Sequence, residues 1–240
     1  MDAVAHATGR DPLDVRKANL YRKGTDVTPY GQTVEDPDVL ADLIDKLEAS
    51  SDYRKRRAQI AAWNEASPII KRGLALTPVQ FGISFTLQHL NQAGALVHVY
   101  PDGSIHLNHG GTEMGQGLFT KVAQVVAEAF AIDLERVKVS STRTDKVPNT
   151  SATAASSGSD INGKAAQAAA AEIRGRLAGV AGAAFGVPAA EVRFLGDRVS
   201  AGGQSLGFAE VVKMAYMARV QLWADGFYRT PKIKIGRAHV

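Results

Sequence analysis

The sequence predicts an α+β fold of the mixed α/β kind, preceded by a polar helical segment. Three observations lead to this prediction. Helical periodicity and capping signals fill residues 1–67, and period-two alternation of hydrophobic residues begins only after Pro68. Strands then alternate with helices from about residue 73 to residue 233. The chain has 240 residues, of which 45% are hydrophobic, and this is enough to bury a sizeable core.

The first part of the chain is predicted to be helical. Asp11 and Pro12 are typical of an N-cap and a first helical position, and this helix is predicted to continue to Tyr21. Asp38 is predicted to cap a second helix, and a third is predicted over residues 52–65. The apolar stripe of the second helix consists of Val39, Leu40, Leu43, Ile44 and Leu47.

Strand patterns appear next. Residues 73–86 are predicted to form one or two strands. Residues 93–109 are predicted to form a β-hairpin, because apolar residues recur at period two and Pro-Asp-Gly at 101–103 supplies the turn. A glycine-rich loop at 110–117 then leads into a predicted helix. The apolar face of that helix consists of Val122, Val125, Val126, Ala129 and Phe130.

The last part of the chain continues the alternation. The predicted elements are a strand at 136–140, an alanine-rich helix at 163–184, a hairpin at 191–201, a helix at 208–217 and a strand at 219–227. Residues 141–159 form a long loop of small residues between two well-formed elements, which favours a functional loop. Asp160 is predicted to cap the alanine-rich helix that follows.

The absence of cysteine limits the chemistry that the chain can carry by itself. Disulfides, thiolate zinc sites and iron–sulfur ligation are excluded. No run of about 18 apolar residues is present, so no membrane-spanning segment is predicted. The first residues lack the pattern of a signal peptide, and a cytoplasmic location is expected.

The basic cluster and the histidines are expected to be structural. Residues 54–57 lie on a predicted helix without interleaved aromatic residues, so we expect a solvated helix face and no nucleic-acid surface. His98, His106 and His109 alternate with apolar residues on predicted strands, and no carboxylate accompanies them in a recognisable zinc pattern. No metal ion bound by protein side chains is therefore predicted.

Three segments are candidates for ligand contacts. The loop GGTEMGQG at 110–117 follows a predicted strand and precedes a predicted helix, so its N–H groups and the helix N-terminus can hold an anion. Gln116 offers an amide donor and acceptor that suit a heterocycle such as a pterin. The small residues at 150–160 allow close approach of a ligand to the backbone. Phe85 is either a core residue or an edge-on contact for a flat substrate.

Four segments together resemble one protein family. They are FGISFT at 81–86, LNQAGALVHVYPDGSIHLNHGGTEMGQGL at 90–118, VPNTSATAAS at 147–156 and GFYRTP at 226–231. In order and spacing they are similar to the large molybdopterin region of xanthine dehydrogenases and their aldehyde oxidase relatives. The resemblance runs from about residue 1 to Ile233, and FGISFT and GFYRTP favour xanthine dehydrogenase.

The resemblance implies a set of site residues. The family binds molybdenum through the two sulfurs of a pyranopterin-dithiolene, with no protein side chain on the metal. The residues implied to line this molybdenum-molybdopterin cofactor are Met114, Gly115, Gln116, Ala155, Ser156 and Gly158. Many relatives have serine in place of Gly158, so one hydrogen bond of the family's pattern is missing here. Phe85 and Thr86 match positions that contact the substrate.

The resemblance also implies what the chain lacks. The family's catalytic glutamate lies in a GEPP-type motif downstream, and a cofactor-contacting FRGFGG-type motif lies upstream; neither occurs in these 240 residues. We therefore expect a fragment of the molybdenum-cofactor-binding domains of a molybdenum hydroxylase that has no catalytic residue and is inactive alone. FAD and 2Fe-2S clusters are expected in a partner subunit or in another part of the parent chain.

The implied parent reaction is hydroxylation of xanthine or hypoxanthine, with electrons passed to NAD by a homodimeric enzyme. One alternative is an aldehyde oxidase, or another purine or nicotinate hydroxylase of the same superfamily. An alternative of a different class is a non-catalytic pterin- or nucleotide-binding module. No nucleic-acid or membrane partner is expected.

The domain boundaries follow from the same reading. Residues 1–67 are expected to be the helical C-terminal part of a first molybdopterin-binding domain, and residues 68–233 the N-terminal part of a second. The final hexapeptide IGRAHV can be encoded by ATC GGA AGA GCA CAC GTC, which is part of a common sequencing-library adapter. We therefore expect residues 234–240 to be a translated adapter.

Overall fold

The chain is described by a computed structural model over residues 1–28, 31, 33–34, 37–79, 84–85, 87–145 and 149–231. It divides into two compact units, Met1–Gly82 with Ile233–Val240, and Ile83–Lys232. Each unit has its own cluster of buried hydrophobic side chains. Thr86 and the predicted adapter residues 234–240 lie outside the described residues.

In the described part of the first unit, four helices surround a small core. They are α1 (Asp2–Thr8), α2 (Pro12–Lys17), α3 (Asp38–Ser50) and α4 (Tyr53–Ala66). The core consists of Leu13, Ile44, Tyr53 and Leu76. The helical character predicted for this part of the chain is therefore confirmed.

The ends of α2 and α3 differ in how well the sequence predicted them. The Asp11 carboxylate accepts a hydrogen bond from the Leu13 amide at 2.8 Å, which confirms the predicted N-cap, although α2 ends at Lys17 rather than Tyr21. The cap predicted at Asp38 is wrong, because Pro37 occupies the N-cap position and Asp38 is the first helical residue. An acidic residue in the first turn interacts favourably with the helix dipole. Aspartate is therefore favoured both at the N-cap and in the first turn, and the sequence alone did not distinguish the two positions.

Two arginines of the basic cluster form ion pairs within the first unit. Arg54 pairs with Asp14 at 2.6 Å and with Glu48 at 2.5 Å, and Arg57 pairs with Asp11 at 3.1 Å. The predicted solvated face is confirmed for Arg54, which is exposed, whereas Arg57 is half-buried; their ion pairs tie α4 to α3 and to the start of α2.

The strands predicted over residues 73–86 are not formed in the described part of that segment, which covers 73–79 and 84–85. The Leu74 carbonyl instead accepts a hydrogen bond from the Arg57 guanidinium at 2.9 Å. The backbone acceptor at Leu74 is therefore satisfied by a side chain and not by a neighbouring strand.

The second unit contains seven strands and three α-helices within its described residues. They are β1 (Gln92–Val99), β2 (Ile105–His109), α5 (Leu118–Phe130), β3 (Val137–Val139), α6 (Gly158–Phe185), β4 (Arg193–Leu195), β5 (Arg198–Ala201), β6 (Gln204–Gly207), α7 (Phe208–Met217) and β7 (Trp223–Arg229). The mixed α/β class is confirmed. None of the described helices is both long and apolar enough to cross a bilayer.

The strands form two sheets. The larger has the order β3-β2-β1-β7, in which β1 is antiparallel to β2 and to β7, and β2 is parallel to β3. The pairing of Ala95 with His109 and of Val99 with Ile105 confirms the predicted hairpin. The smaller sheet has the order β4-β5-β6. Its first two strands confirm the hairpin predicted at 191–201, whereas β6 was not predicted.

The core of the second unit lies between the larger sheet and two helices. α6 packs on β1 and β7, and α5 packs on α6 and β3. The small side chains of α6 let its backbone come close to the sheet. At Gly226 in β7 an added Cβ would overlap the Ala165 carbonyl oxygen outright and would lie 2.7 Å from the Ala169 amide nitrogen. The alanine-rich sequence of α6 and the glycine of β7 are therefore parts of one packing solution.

Candidate functional site

Three loop segments of the second unit meet beyond one end of the larger sheet. The Thr112 amide, in the glycine-rich loop, donates to the Thr153 hydroxyl at 2.7 Å. The Ser84 amide donates to the Ala155 carbonyl at 2.8 Å. The Ser151 hydroxyl donates to the Leu90 carbonyl. The segments that the sequence identified as ligand candidates are thus bonded to one another.

The side chain of Gln116 closes the glycine-rich loop on itself. Its carbonyl oxygen accepts from the Met114 amide at 2.6 Å, and its amide nitrogen donates to the Thr112 carbonyl at 2.9 Å. A primary amide carries two N–H donors and two acceptor lone pairs. The exposed Gln116 side chain therefore keeps one donor and one acceptor position for a ligand while it shapes the loop.

Glu113 holds the same loop from the other side. Its carboxylate accepts hydrogen bonds from the amides of Gly115 and Gly117, both at 2.9 Å, and from the Phe119 amide at 3.0 Å. The bond from Phe119 contributes most, and together these bonds hold the pKa of Glu113 below its usual range. The anion held by these amides and the N-terminus of α5 is therefore the carboxylate of Glu113 itself.

The two glycines that open the loop are required by close packing. A Cβ at Gly110 would overlap the side chain of Thr150, and a Cβ at Gly111 would lie 2.6 Å from a methyl group of Leu118 and 2.8 Å from the Asn162 amide nitrogen. These glycines allow the loop to pass between the segment that precedes α6 and the first turns of α5 and α6.

His109 ends β2 as a buried, neutral imidazole. Its Nδ1 atom accepts a hydrogen bond from the Gly111 amide at 3.1 Å, and its ring meets Phe119 edge to face. The side chain is 0% exposed, and desolvation by burial lowers the pKa of His109 to about 4. His98 and His106 face each other across β1 and β2. Among the described residues, no group of three histidine, cysteine, aspartate or glutamate side chains could hold a metal ion.

The small-residue loop before α6 has an unusual backbone. Ala155 and Ser156 both have left-handed conformations, with φ of 53° and 54°. Such conformations cost roughly 1 kcal/mol or more for residues other than glycine, and they cluster at functional sites. The cap predicted at Asp160 is wrong, because Ser157 occupies the N-cap position of α6 and Asp160 lies in the first turn.

The residues predicted to contact the cofactor lie on two adjacent loops and at the first residue of α6. Met114, Gly115, Gln116 and Ser156 are exposed, and Ala155 and Gly158 are half-buried. An added Cβ at Gly158 would lie 3.3 Å from a Thr153 methyl group and 3.5 Å from a Leu118 methyl group, which places the second loop against the start of α5. Phe85 is half-buried and is not among the residues of the hydrophobic core.

The chemistry of these loops fits a flat, polar ligand such as a pterin. Backbone at Gly115, Ala155 and Gly158 has no bulky side chain to keep a ligand away. Several buried polar atoms have no hydrogen-bond partner within the described part of the chain, among them Ser84 Oγ, Asn162 Oδ1 and His109 Nε2. Buried polar groups are nearly always paired, so unpaired ones beside a loop cluster indicate a missing ligand or water.

Sequence reasoning missed three residues of this site. Glu113 and His109 were not predicted to bond the loop, and Asn91 was not predicted to matter at all. Asn91 is a buried polar residue directly before β1, and its side chain bonds the backbone of Phe85. A signal was available only for Glu113, an acidic residue shortly before the start of α5, where a negative charge interacts favourably with the helix dipole.

Comparison with known proteins finds relatives that match nearly the whole of this chain. Residues 46–239 match the family model described as the molybdopterin cofactor-binding domain. The chain is 44% identical over 230 residues to a xanthine dehydrogenase of Drosophila pseudoobscura pseudoobscura, and 42% identical over 233 residues to a xanthine dehydrogenase/oxidase of Felis catus. These alignments cover 96% and 97% of this chain but 16% of each relative.

Solved structures share the fold at lower sequence identity. Quinoline 2-oxidoreductase from Pseudomonas putida 86 matches with a TM-score of 0.77 at 22% identity, over 95% of this chain and 31% of that chain. The Cu,Mo-CO dehydrogenase matches with a TM-score of 0.76 at 19% identity, over 97% of this chain and 32% of that chain. At these identities the likeness concerns the fold.

Proposed function

Because the chain belongs to the family of molybdopterin cofactor-binding domains, we propose that it binds the molybdenum-molybdopterin cofactor as part of a xanthine dehydrogenase. The observation that carries this proposal is the bonding of the glycine-rich loop to the small-residue loop, which brings two exposed, small-residue backbones together. The chain spans 16% of the length of the relatives it matches, so the activity of the whole enzyme is part of the proposal.

The proposed cofactor contacts are Met114, Gly115, Gln116, Ala155, Ser156 and Gly158. Gln116 offers its remaining amide donor and acceptor, and Ser156 offers a hydroxyl. The left-handed backbone of Ala155 and Ser156 supports this assignment, because strained backbone of this kind is retained where a ligand needs it. Gly158 offers backbone only, because an added Cβ there would lie within 3.3 Å of a Thr153 methyl group.

The proposed substrate contacts are Phe85 and Thr86. A half-buried aromatic ring outside the core can meet a flat purine edge to face, a contact worth about 0.5–1.5 kcal/mol beyond area burial. The proposed substrate of the parent enzyme is xanthine or hypoxanthine, with NAD as the electron acceptor. FAD and 2Fe-2S groups would lie elsewhere in the same enzyme, which we propose to be a homodimer located in the cytoplasm.

The proposed role of this chain in the reaction is to bind and orient. When bound, the cofactor supplies hydroxylation chemistry, in which an oxygen atom from water enters the purine and two electrons leave it. Gln116 and the 155–158 loop hold the pterin, and Phe85 aligns the purine. Glu113 is not proposed as a base, because its carboxylate is bonded to three amides and its lowered pKa makes it a weak proton acceptor.

The cofactor assignment is tested by replacing Gln116 in the complete enzyme. Gln116→Ala removes the loop-closing bonds and the free amide donor, and a lost buried partner costs about 1–3 kcal/mol. We expect cofactor affinity to fall roughly tenfold, measured as molybdenum content after purification. Gln167→Ala is the matched control, because Gln167 is exposed on α6 away from both loops. Normal molybdenum content in Gln116→Ala would show that Gln116 does not bind the cofactor.

A further inference from the structure

The side chain of Asn91 is buried and forms two hydrogen bonds with the backbone of a single residue. It is 1% exposed. Its Oδ1 atom accepts from the Phe85 amide at 2.8 Å, and its Nδ2 atom donates to the Phe85 carbonyl at 2.7 Å. The pair of bonds is reciprocal, as between two residues of neighbouring antiparallel strands. Both backbone polar groups of Phe85 are therefore satisfied by a single side chain.

Asn91 itself is anchored to the larger sheet. It directly precedes β1, and its carbonyl accepts from the Thr230 amide at 3.0 Å, one residue beyond β7. The neighbouring Leu90 carbonyl accepts from the Ser151 hydroxyl of the small-residue loop. Residues 90–91 thus connect the Phe85 segment, the small-residue loop and the end of β7.

Phe85 is held through its backbone. It lies in no strand, and its ring is half-buried outside the hydrophobic core. Its neighbour Ser84 has a left-handed backbone with φ of 86° and is bonded to Ala155 of the proposed cofactor loop. The backbone at Phe85, from which the ring projects, is therefore held by the Asn91 pair on one side and by the Ser84–Ala155 bond on the other.

We propose that Asn91 is a positioning residue that sets substrate specificity by fixing Phe85 against a flat heterocyclic substrate. The inference rests on the proposed function for the identity of the substrate. Asparagine has the donor and the acceptor that this geometry needs. Aspartate would place a carboxylate oxygen against the Phe85 carbonyl, and an aliphatic side chain would leave two backbone groups unpaired.

The first test uses amide hydrogen exchange in the 240-residue chain and needs no cofactor. Asn91→Ala removes the acceptor of the Phe85 amide, so exchange at Phe85 should become about tenfold faster or more. Asn108→Ala is the matched control, because Asn108 is also buried in this unit but donates to the Ser140 hydroxyl at 2.7 Å. It should leave exchange at Phe85 unchanged. Unchanged exchange in Asn91→Ala would overturn the proposal.

The second test uses the complete enzyme with xanthine. Asn91→Ala should raise KM about tenfold, with kcat and molybdenum content unchanged, because a contact shared by ground and transition states acts on KM. Adding Phe85→Ala should cause no further increase, since both changes remove the same contact. Loss of molybdenum, a lower kcat at unchanged KM, or full additivity with Phe85→Ala would show that Asn91 only supports the fold.

A variant that keeps an acceptor for one of the two hydrogen bonds distinguishes loss of these bonds from misfolding of the chain. Asn91→Asp retains an acceptor for the Phe85 amide but places a carboxylate oxygen against the Phe85 carbonyl, so exchange at Phe85 should be faster than in wild type and slower than in Asn91→Ala. The lost donor should still raise KM. If wild-type enzyme holds no molybdenum, the proposed function fails while the exchange result still decides whether Asn91 fixes Phe85.

Discussion

Two ionisable side chains hold the glycine-rich loop, and each does so in one protonation state. His109 can accept from the Gly111 amide only while its imidazole is neutral, because the imidazolium ion is a donor at both nitrogens. Glu113 accepts from three amides most strongly as a carboxylate. Acid should therefore open the loop from both sides, which makes pH a probe of the site at the scale of single residues.

The first prediction concerns His109 and the pH dependence of stability. Its pKa is lowered in the folded state to about 4, from 6.5, so the unfolded chain binds more protons between these values. The stabilisation is complete above pH 6.5 and is lost as pH falls towards 4, on the order of 3 kcal/mol. The free energy of unfolding, measured with urea from about pH 7 to about pH 4, should fall with pH as this stabilisation is lost. His109→Gln should make that fall smaller. An imidazole midpoint near 6.5 by NMR would contradict the prediction.

The candidate site was predictable from sequence only where a residue acts through its own motif. Gln116 and Ser156 lie in segments whose glycine and small residues indicate a ligand loop. Asn91 and His109 were not identified, because their roles depend on backbone atoms two to six residues away in a fold that must already exist. A buried asparagine at a strand start and a buried histidine at a strand end look like ordinary packing until their partners are known.

Among the helices and strands, the sequence predicted the ones whose position is set by local hydrophobic periodicity. Helix α7 matches its predicted span, and the β1–β2 hairpin follows its turn signal. α6 begins at Gly158, five residues before the predicted start at 163, because packing carries the helix through a stretch of low helix propensity. β6 was missed, since four residues after two glycines carry too little pattern.

The second prediction compares a glycine packed between α6 and β7 with a glycine on the exposed face of α6. Gly226→Ala should destabilise the chain by about 3 kcal/mol or more, because its Cβ would overlap the Ala165 carbonyl and neither backbone can move alone. Gly175→Ala is the matched change on the exposed face of α6, where an added Cβ meets nothing within 4 Å. It should stabilise by about 0.5–1 kcal/mol. Thermal unfolding measures both, and equal effects would contradict the packing argument.

At the scale of the whole molecule, the proposed cofactor contacts are open to solvent. Met114 is 66% exposed, and Gln116 and Ser156 are exposed as well. Enzymes of this kind bury reactive groups so that electrostatic interactions are strong and water is excluded. The relatives are about six times longer than this chain, so the rest of such an enzyme has ample length to cover these loops. The chain alone therefore supplies one side of the proposed cofactor site, and that side is open to solvent.

The last prediction is that residues 1–233 alone do not hydroxylate xanthine. Positioning and proton abstraction each contribute many-fold to rate, and an open wall supplies neither fully. Glu113, the acidic residue within the glycine-rich loop, is bonded to three amides, and those bonds keep it ionised and weakly basic. The assay supplies molybdenum cofactor and an artificial electron acceptor and measures urate, with the complete enzyme as positive control. Urate production by residues 1–233 that depends on added molybdenum cofactor would contradict the prediction.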